Sequence, residues 1–214
     1  MIYPADPETM VTEQIAGRDI VDPEVLRAMR KVARERFVAP KYRYAAYSDQ
    51  PLPIGFGQTI SQPYVVAFMT QALQLSAEDI VLEVGSGCGY QSAILAEIVK
   101  TVFALELIEN LVQRSERTLA ALGYSNVFLK RGNGRKGWPQ KAPFSRILVA
   151  AASRDIPKPL LNQLAVGGKM IIPLGASVWS QNLVLITKTR RGHQQRKILP
   201  VRFVPLVEDR GHAK

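Results

Sequence analysis

The stretch Ile80-Val81-Leu82-Glu83-Val84-Gly85-Ser86-Gly87-Cys88-Gly89-Tyr90 decides the fold. A short apolar run with an acid near its end, then glycine at alternate positions, then a helical pattern from Gln91 to Val99, reads as strand, tight turn and helix. Glycine suits the turn because the backbone must take positive φ values and let a ligand approach with no Cβ in the way. The helix that follows offers unpaired N–H groups to whatever lies above it. The dinucleotide fingerprint G-x-G-x-x-G does not fit, and neither does the phosphate-cradling form ending in G-K-[ST]. What stands here is E-x-G-x-G-x-G without lysine. A second strand-like run, Thr101 to Glu106, ends in an acid at about the distance expected of a ribose-binding carboxylate. A ligand-free strand-to-helix turn would use the same glycines, so the spacing alone leaves both readings open.

The 214 residues, 47% of them hydrophobic, suffice for one domain of ordinary size and an N-terminal embellishment. The expected division is an N-terminal helical extension over 1–50, packed on a core domain over 51–214. No run approaches the roughly 18 apolar residues of a membrane span, and the N-terminus lacks a basic segment followed by an apolar one. A cytoplasmic monomer is the expectation. Cys88 is the single cysteine, so an internal disulfide and a cysteine-cluster metal site are excluded and no metal is expected. The formal net charge is +10. It would suit an anionic partner, but Arg27 to Arg43 and Lys188 to Arg202 mix cations with apolar residues as solvated faces do. The one basic–aromatic run of the kind that could stack nucleic-acid bases, Lys41-Tyr42-Arg43-Tyr44, is four residues long and is not repeated, so nucleic-acid binding is disfavoured.

The first fifty residues read as largely helical, with a stretch from Pro7 to Asp19. Asp22-Pro23-Glu24 then supplies an N-cap, a proline at N1 and a first-turn acid ahead of the apolar face Val25, Leu26, Met29, Val32, Ala33. Phe37 to Pro40 ends that helix, and Tyr42, Tyr44 and Tyr47 follow as core edge or substrate wall. A loop over Pro51 to Tyr64 leads into a helix from Val65 to Leu75, with Ser61 standing where an N-cap belongs. Beyond Glu106 come a helix from Glu109 to Leu122, strands Val127 to Lys130 and Arg146 to Ala150, a helix from Pro157 to Leu164, and a strand from Lys169 to Leu174. Strands alternating with helices argue a parallel sheet. Gln181 to Lys188 and Lys197 to Val204 read as an antiparallel hairpin at its edge. Ligands of such sheets sit beyond the carboxyl ends of the strands, where Gly85, Glu106, Asn133 and Ala151 fall.

The glycine turn resembles the first motif of the class I S-adenosylmethionine-dependent methyltransferases. Taken with Pro53-Ile-Gly-Phe-Gly-Gln-Thr-Ile-Ser-Gln-Pro63, Gly132-Asn-Gly-Arg-Lys-Gly-Trp-Pro139, Ala142-Pro-Phe, Gln163 to Gly175 and Arg202-Phe-Val-Pro-Leu206, it closely resembles the protein-L-isoaspartate (D-aspartate) O-methyltransferases of bacteria, from about Val25 to Leu206. The resemblance implies an α/β fold: a Rossmann-like, seven-stranded, mostly parallel doubly wound sheet with an antiparallel edge hairpin. It implies protein repair by methyl transfer from S-adenosyl-L-methionine, released as S-adenosyl-L-homocysteine, to the free α-carboxylate of isoaspartyl or D-aspartyl residues in damaged proteins. Ser61 takes the family's active-site serine position. Thr59, Ile60, Glu83, Gly85, Ser86, Gly87, Gly89, Glu106, Leu107, Gly132 and Asn133 are implied at the cofactor.

Histidine occurs only at 193 and 212, so no Ser-His-Asp or Cys-His set can be assembled near the glycine turn and hydrolysis is disfavoured. An isoaspartyl carboxylate is already ionised near neutral pH and needs no base. Where the family has Gly-Asp-Gly this chain has Gly132-Asn133-Gly134, and the family's Asp and Thr around strand four are here Ser145 and Ala150. The asparagine keeps an acceptor oxygen for the adenine amine but loses the charge, and Ala150 could loosen the floor beneath the acceptor. Two alternatives therefore stand: a divergent paralogue methylating a small molecule or nucleic acid, and a non-catalytic module that keeps the fold. Val149-Ala-Ala-Ala-Ser153 counts against an amino-methylating enzyme of nucleic acid, which carries Asn/Asp-Pro-Pro-Tyr there.

Overall fold

The helices are α1 (Pro7–Thr9, running on as a π-turn over Met10–Ala16), α2 (Pro23–Lys31), α3 (Pro63–Ala72), α4 (Tyr90–Ala96), α5 (Glu109–Ala121) and α6 (Lys158–Gln163). The strands are β1 (Leu52–Gly55), β2 (Gln58–Ile60), β3 (Ile80–Val84), β4 (Thr101–Glu106), β5 (Val127–Arg131), β6 (Phe144–Val149), β7 (Leu164–Leu174), β8 (Gln181–Thr189) and β9 (Gly192–Val201). They come from a computed structural model that describes residues 6–177 and 179–207. β1 and β2 form a small hairpin, and the other seven strands make one sheet in the order β5-β4-β3-β6-β7-β8-β9. The ladders from β5 to β7 are parallel, and β7 to β9 form an antiparallel meander.

The parallel part follows from continuous apolar runs. From Val81 onward β3 is buried without interruption, as a strand covered on both faces must be. Its side chains alternate between two cores. Val81, with Val102, Leu148 and Ile171, packs under α3 and α4, while Leu82 and Val84, with Ile147, Val149, Met170 and Ile172, pack under α6. Full burial of each such side chain is worth about 1.5–3 kcal/mol, which holds the strand ends above the sheet in fixed register.

A third core joins the first fifty residues to the rest, with Met10, Ile15, Val25, Met29 and Phe37 packed against Tyr90, Ile94 and Leu111. Asp22 caps α2 as its sequence suggests, its carboxylate accepting from the amides of Glu24 and Val25. The helix nevertheless ends at Lys31, earlier than the apolar spacing implies. Val32 is extended, with φ −82° and ψ 108°, and a 3-10 turn over Arg34–Phe37 swings Arg34 inward. α4 likewise stops at Ala96, short of Val99.

Two boundaries move in the meander. β7 begins at Leu164, using Gly167 at φ +81° within the strand. β9 begins at Gly192, so Arg190 and Arg191 alone make the turn, and it ends at Val201. An exposed edge strand reading Gly-His-Gln-Gln-Arg-Lys offers no alternating apolar face to recognise.

Candidate active site

The carboxyl ends of β3, β4 and β6 converge above the sheet, where the glycine turn begins. Gly85, Gly87 and Gly89 all have positive φ, at +83°, +56° and +88°. The amides of Gly85 and Ser86 donate to the Leu105 carbonyl, at 2.8 and 3.2 Å, which ties the turn to the end of β4. A Cβ on Gly87 would come within 3.1 Å of the Ile54 Cδ1, and one on Gly134 within 2.3 Å of the Val84 Cγ1. Side chains at these points would collide with the apolar side chains packed beside the turn.

Three hollows meet here. A cleft runs over Gly85, Gly87, Glu106, Leu107, Gly132 and Gly134, and is walled by Pro205 and Leu206. A second cavity lies over Ser86, Cys88 and Tyr90, beside Ile60 and Ser61. A wider groove is lined by Ser61, Gln62, Val65, Trp179, Arg202 and Phe203. Thr59 and Ala150 border all three, and Ser61 borders the last two. The Gln58–Ile60 strand and the start of α3 therefore form a partition between a glycine-floored cleft and an open groove.

Ser61 does not cap α3. Gln62 holds the N-cap position and makes no side-chain cap bond, so the capping role suggested for Ser61 is overturned. Its carbonyl instead accepts 2.7 Å from the Arg34 Nη2, while the Arg34 Nε donates to the Ala46 carbonyl at 2.8 Å. Arg34 is fully buried, with its guanidinium 4.8 Å from the centre of the Tyr90 ring and its Nη1 without a hydrogen-bond partner. Burial pulls its pKa down, and neighbouring Tyr90 works the other way. An arginine within a run of cations reads as solvated, so sequence gave no sign that this one braces the Ser61 loop against the first residue of α4.

The acids are arranged unequally. Glu106 is nearly buried, and its carboxylate is pinned by three backbone donors: Gly87 N at 2.9 Å, Leu107 N at 2.7 Å and Ile108 N at 2.9 Å. Its orientation toward the cleft is thus set before any ligand arrives. Glu83 is wholly buried, accepts from the Ser92 hydroxyl through Oε2, and leaves Oε1 without a partner. Burial pushes its carboxyl up to about 7, with the Glu106 charge adding and the Ser92 bond opposing. The buried Ser86 hydroxyl is also unpartnered. Buried polar atoms left unpaired at a turn of this kind are what a polar ligand would satisfy.

The remaining expected residues fall as follows. Ile60 is buried under the loop, and Gly89 opens α4, with Ser115 and Leu119 within 3.3 Å of where its Cβ would stand. Asn133 lies between two cleft-lining glycines, but its Oδ1 accepts from the Arg135 amide at 2.9 Å and caps a short 3-10 turn. Ser145 is at the opposite end of the sheet, bridging to the Ile80 amide and carbonyl at 3.0 and 3.1 Å, and so has no bearing on the acceptor. Cys88 is buried, which raises its thiol pKa. Tyr42, Tyr44 and Tyr47 do not line the groove. His212 lies outside the described residues. Among the described residues no group of three His, Cys, Asp or Glu could hold a metal ion. Val204, expected as the end of a hairpin strand, instead lies beyond β9, and Val204–Leu206 returns over the cleft, the Ala152 amide donating to the Val204 carbonyl at 2.8 Å and the Leu206 amide to the Ala152 carbonyl at 2.7 Å. The Phe-Val-Pro-Leu string was its only signal.

The family model for protein-L-isoaspartate(D-aspartate) O-methyltransferase matches residues 5–211. The chain is 54% identical over 204 residues to protein-L-isoaspartate O-methyltransferase 2 of Anaeromyxobacter sp. (strain Fw109-5), covering 94% of this chain and 84% of that one. It is 50% identical over 206 residues to protein-L-isoaspartate O-methyltransferase of Synechococcus sp. (strain JA-2-3B'a(2-13)), with the same coverage of 94% and 84%. Among solved structures, a putative protein-L-isoaspartate O-methyltransferase from Plasmodium falciparum, in complex with S-adenosyl-L-homocysteine, superposes with a TM-score of 0.82 at 26% identity, over 94% of this chain and 98% of that one.

Proposed function

We propose that this chain, which belongs to the protein-L-isoaspartate (D-aspartate) O-methyltransferase family, carries out its reaction across the partition of Thr59, Ser61 and Ala150. It is an S-adenosylmethionine-dependent methyltransferase that acts on isoaspartyl residues of damaged proteins. The observation that carries the placement is that Ser61 borders both the glycine-turn cavity and the groove.

The residues present fit the cofactor. Gly85 and Gly87, both left-handed, floor the cleft, an oriented Glu106 suits the ribose hydroxyls, and the unpaired Glu83 Oε1 and Ser86 hydroxyl suit the methionine end. When bound, S-adenosylmethionine supplies an electrophilic methyl group on its sulfonium. Ionised Glu83 would hold the cationic amine, so cofactor affinity should rise as pH passes through about 7. Leu107, Gly132 and Asn133 would hold the adenine end, and Thr59 and Ile60 would close over the cofactor from β2.

The acceptor carboxylate needs no proton removed. Its oxygen forms the new bond to the methyl carbon as the carbon–sulfur bond breaks. The protein's part is placement and exclusion of water, and positioning of this kind supplies several kcal/mol of barrier lowering, up to about 7–11. The Ser61 hydroxyl clamps one carboxylate oxygen so that the other faces the methyl group. Ala150 forms the floor shared by donor and acceptor. Among the described residues no helix is long and apolar enough to cross a membrane. The reading is of a cytoplasmic monomer whose acceptor is protein and not nucleic acid.

The reading is tested with methyl-labelled S-adenosylmethionine and an isoaspartyl peptide beside its aspartyl twin. Base-labile label on the isoaspartyl peptide alone is expected. Label on a nucleic acid, or on neither peptide, would refute it.

A further inference from the structure

The charge of this protein is concentrated in one part of it. Residues 157–207 hold eight lysines and arginines and no aspartate or glutamate, whereas residues 1–156 hold 18 basic and 16 acidic side chains. The acid-free segment is the meander β7–β9 and its flanks. Arg196 and Lys197 on β9 and Arg202 just beyond it are exposed, and no ion pair is formed by any of them among the described residues.

These cations sit along one furrow. The groove at Ser61 is bounded by Val65 of α3 on one side and by Pro200, Val201 and Arg202 on the other. One turn further along α3, Phe68 and Gln71 face Arg196, Lys197 and Ile198 across a second hollow. The two hollows are thus successive stretches between the same helix and the same strand. Opposite Leu183 and Val184 the β8–β9 register shifts, leaving Ile198 as an extra residue in β9. Ile198 and Leu199 both pack into the core under α3, Arg196 stands opposite Leu185 and Lys197 opposite Val184, and Arg196, Lys197 and Ile198 all border this hollow. Asp19 is the acid at its rim, and its carboxylate already accepts from the Tyr64 hydroxyl at 2.8 Å.

We infer that an acceptor polypeptide extends from Ser61 along the α3–β9 furrow, and that Arg196 and Lys197 select chains carrying acidic residues several positions from the isoaspartyl group. This rests on the functional reading above. At about 3.3 Å per residue, the five positions from Lys197 to Arg202 span roughly 16 Å, so an extended acceptor presents a side chain to the two cations about five residues from its reacting carboxylate. Arg202, stacked 4.2 Å over the Trp179 ring at the groove mouth, meets nearer flanks. Exposed charges at such range act through encounter rate and orientation, and their effect weakens with salt.

The test uses isoaspartyl peptides of about twelve residues that differ only five positions from the isoaspartyl group, on either side, with paired glutamates, paired glutamines or paired lysines. For the wild-type protein, kcat/KM for the glutamate peptide should exceed that for the lysine peptide by about three- to tenfold on one side only, through KM, and the ratio should shrink as salt is raised. In Arg196→Glu/Lys197→Glu, with an unchanged melting temperature, the order should invert, with the lysine peptide above the glutamine peptide and the glutamate peptide below it. Equal kcat/KM for all three wild-type peptides would overturn the inference, as would a preference that survives in the double variant. So would a furrow occupied by RNA, seen as single-stranded RNA competing with cofactor-loaded protein for the neutral peptide as strongly as the glutamate peptide does. Failure of the wild-type protein to methylate any isoaspartyl peptide would instead refute the functional reading.

Discussion

In the parallel part of the sheet β3, β4 and β6 are buried on both faces, and their ends carry backbone groups, glycines and two enclosed carboxylates. In the antiparallel part β9 is exposed along most of its length, and its segment carries cations with no acid. The two parts share a sheet and meet at Ser61, yet they face different chemical tasks. A small cofactor of constant shape can be read by fixed amides and a rigid turn. A damaged polypeptide varies in sequence, so the surface that receives it is open and specified more by charge than by fit. The difference teaches where substitutions should be felt: in the parallel part as stability and cofactor affinity, in the partition as turnover, and at the bottom of the sheet as stability alone.

The largest expected effect would break the comparison on the parallel side. Folded Glu83 titrates at about 7 against an ordinary 4.5, so between those values the native protein holds a proton that the unfolded chain has released. That contribution to stability is complete below about 4.5 and is lost as pH rises through 7, amounting to about 3 kcal/mol by pH 8. Glu83→Gln cannot ionise. Denaturant titrations of wild-type and variant protein without cofactor should therefore diverge in the variant's favour by about that amount between pH 4.5 and 8, and parallel curves would show that Glu83 is not a strained carboxyl.

Next comes the brace behind the partition. Arg34→Lys keeps a charge but cannot span the Ala46 and Ser61 carbonyls together. Steady-state kinetics should show kcat on an isoaspartyl peptide lowered about tenfold, while calorimetry finds cofactor affinity within about threefold. Equal losses in both would make Arg34 a core residue with no hold on the loop.

The smallest effect sharpens the contrast between the two ends of the strands. Ser145→Ala removes the bridge to Ile80 and should lower stability by about 1 kcal/mol. Turnover should not change. A drop in kcat beyond about twofold would link the bottom of β6 to the acceptor after all.

Most of the parallel part was legible because its signals are local: an apolar run, glycines at fixed spacing, an acid at the end of the next strand. The existence of β3 to β6 and a ligand cleft beyond their carboxyl ends follow from those signals and the general behaviour of such sheets, whereas their order in the sheet does not. Arg34 was not legible, because the same residue in a helix-like basic run reads as solvent-facing, and only the extended Val32 turns it inward. Ser61 showed the opposite error. A serine ahead of Pro63 has the form of a cap, but Gln62 takes that place and leaves the serine at the partition. The start of β9 was missed because exposed edge strands carry no burial pattern. Ser145 and Ala150, equal as departures in the sequence, lie at opposite ends of β6, so only the second touches the site.

The Ser61 hydroxyl is the clamp between donor and acceptor on which methyl transfer depends. In Ser61→Ala, single-turnover methylation of an isoaspartyl peptide should fall between about ten- and a hundredfold, with cofactor affinity by calorimetry within about threefold of wild type. Methylation at the wild-type rate, or a loss matched by an equal loss of cofactor binding, would contradict it.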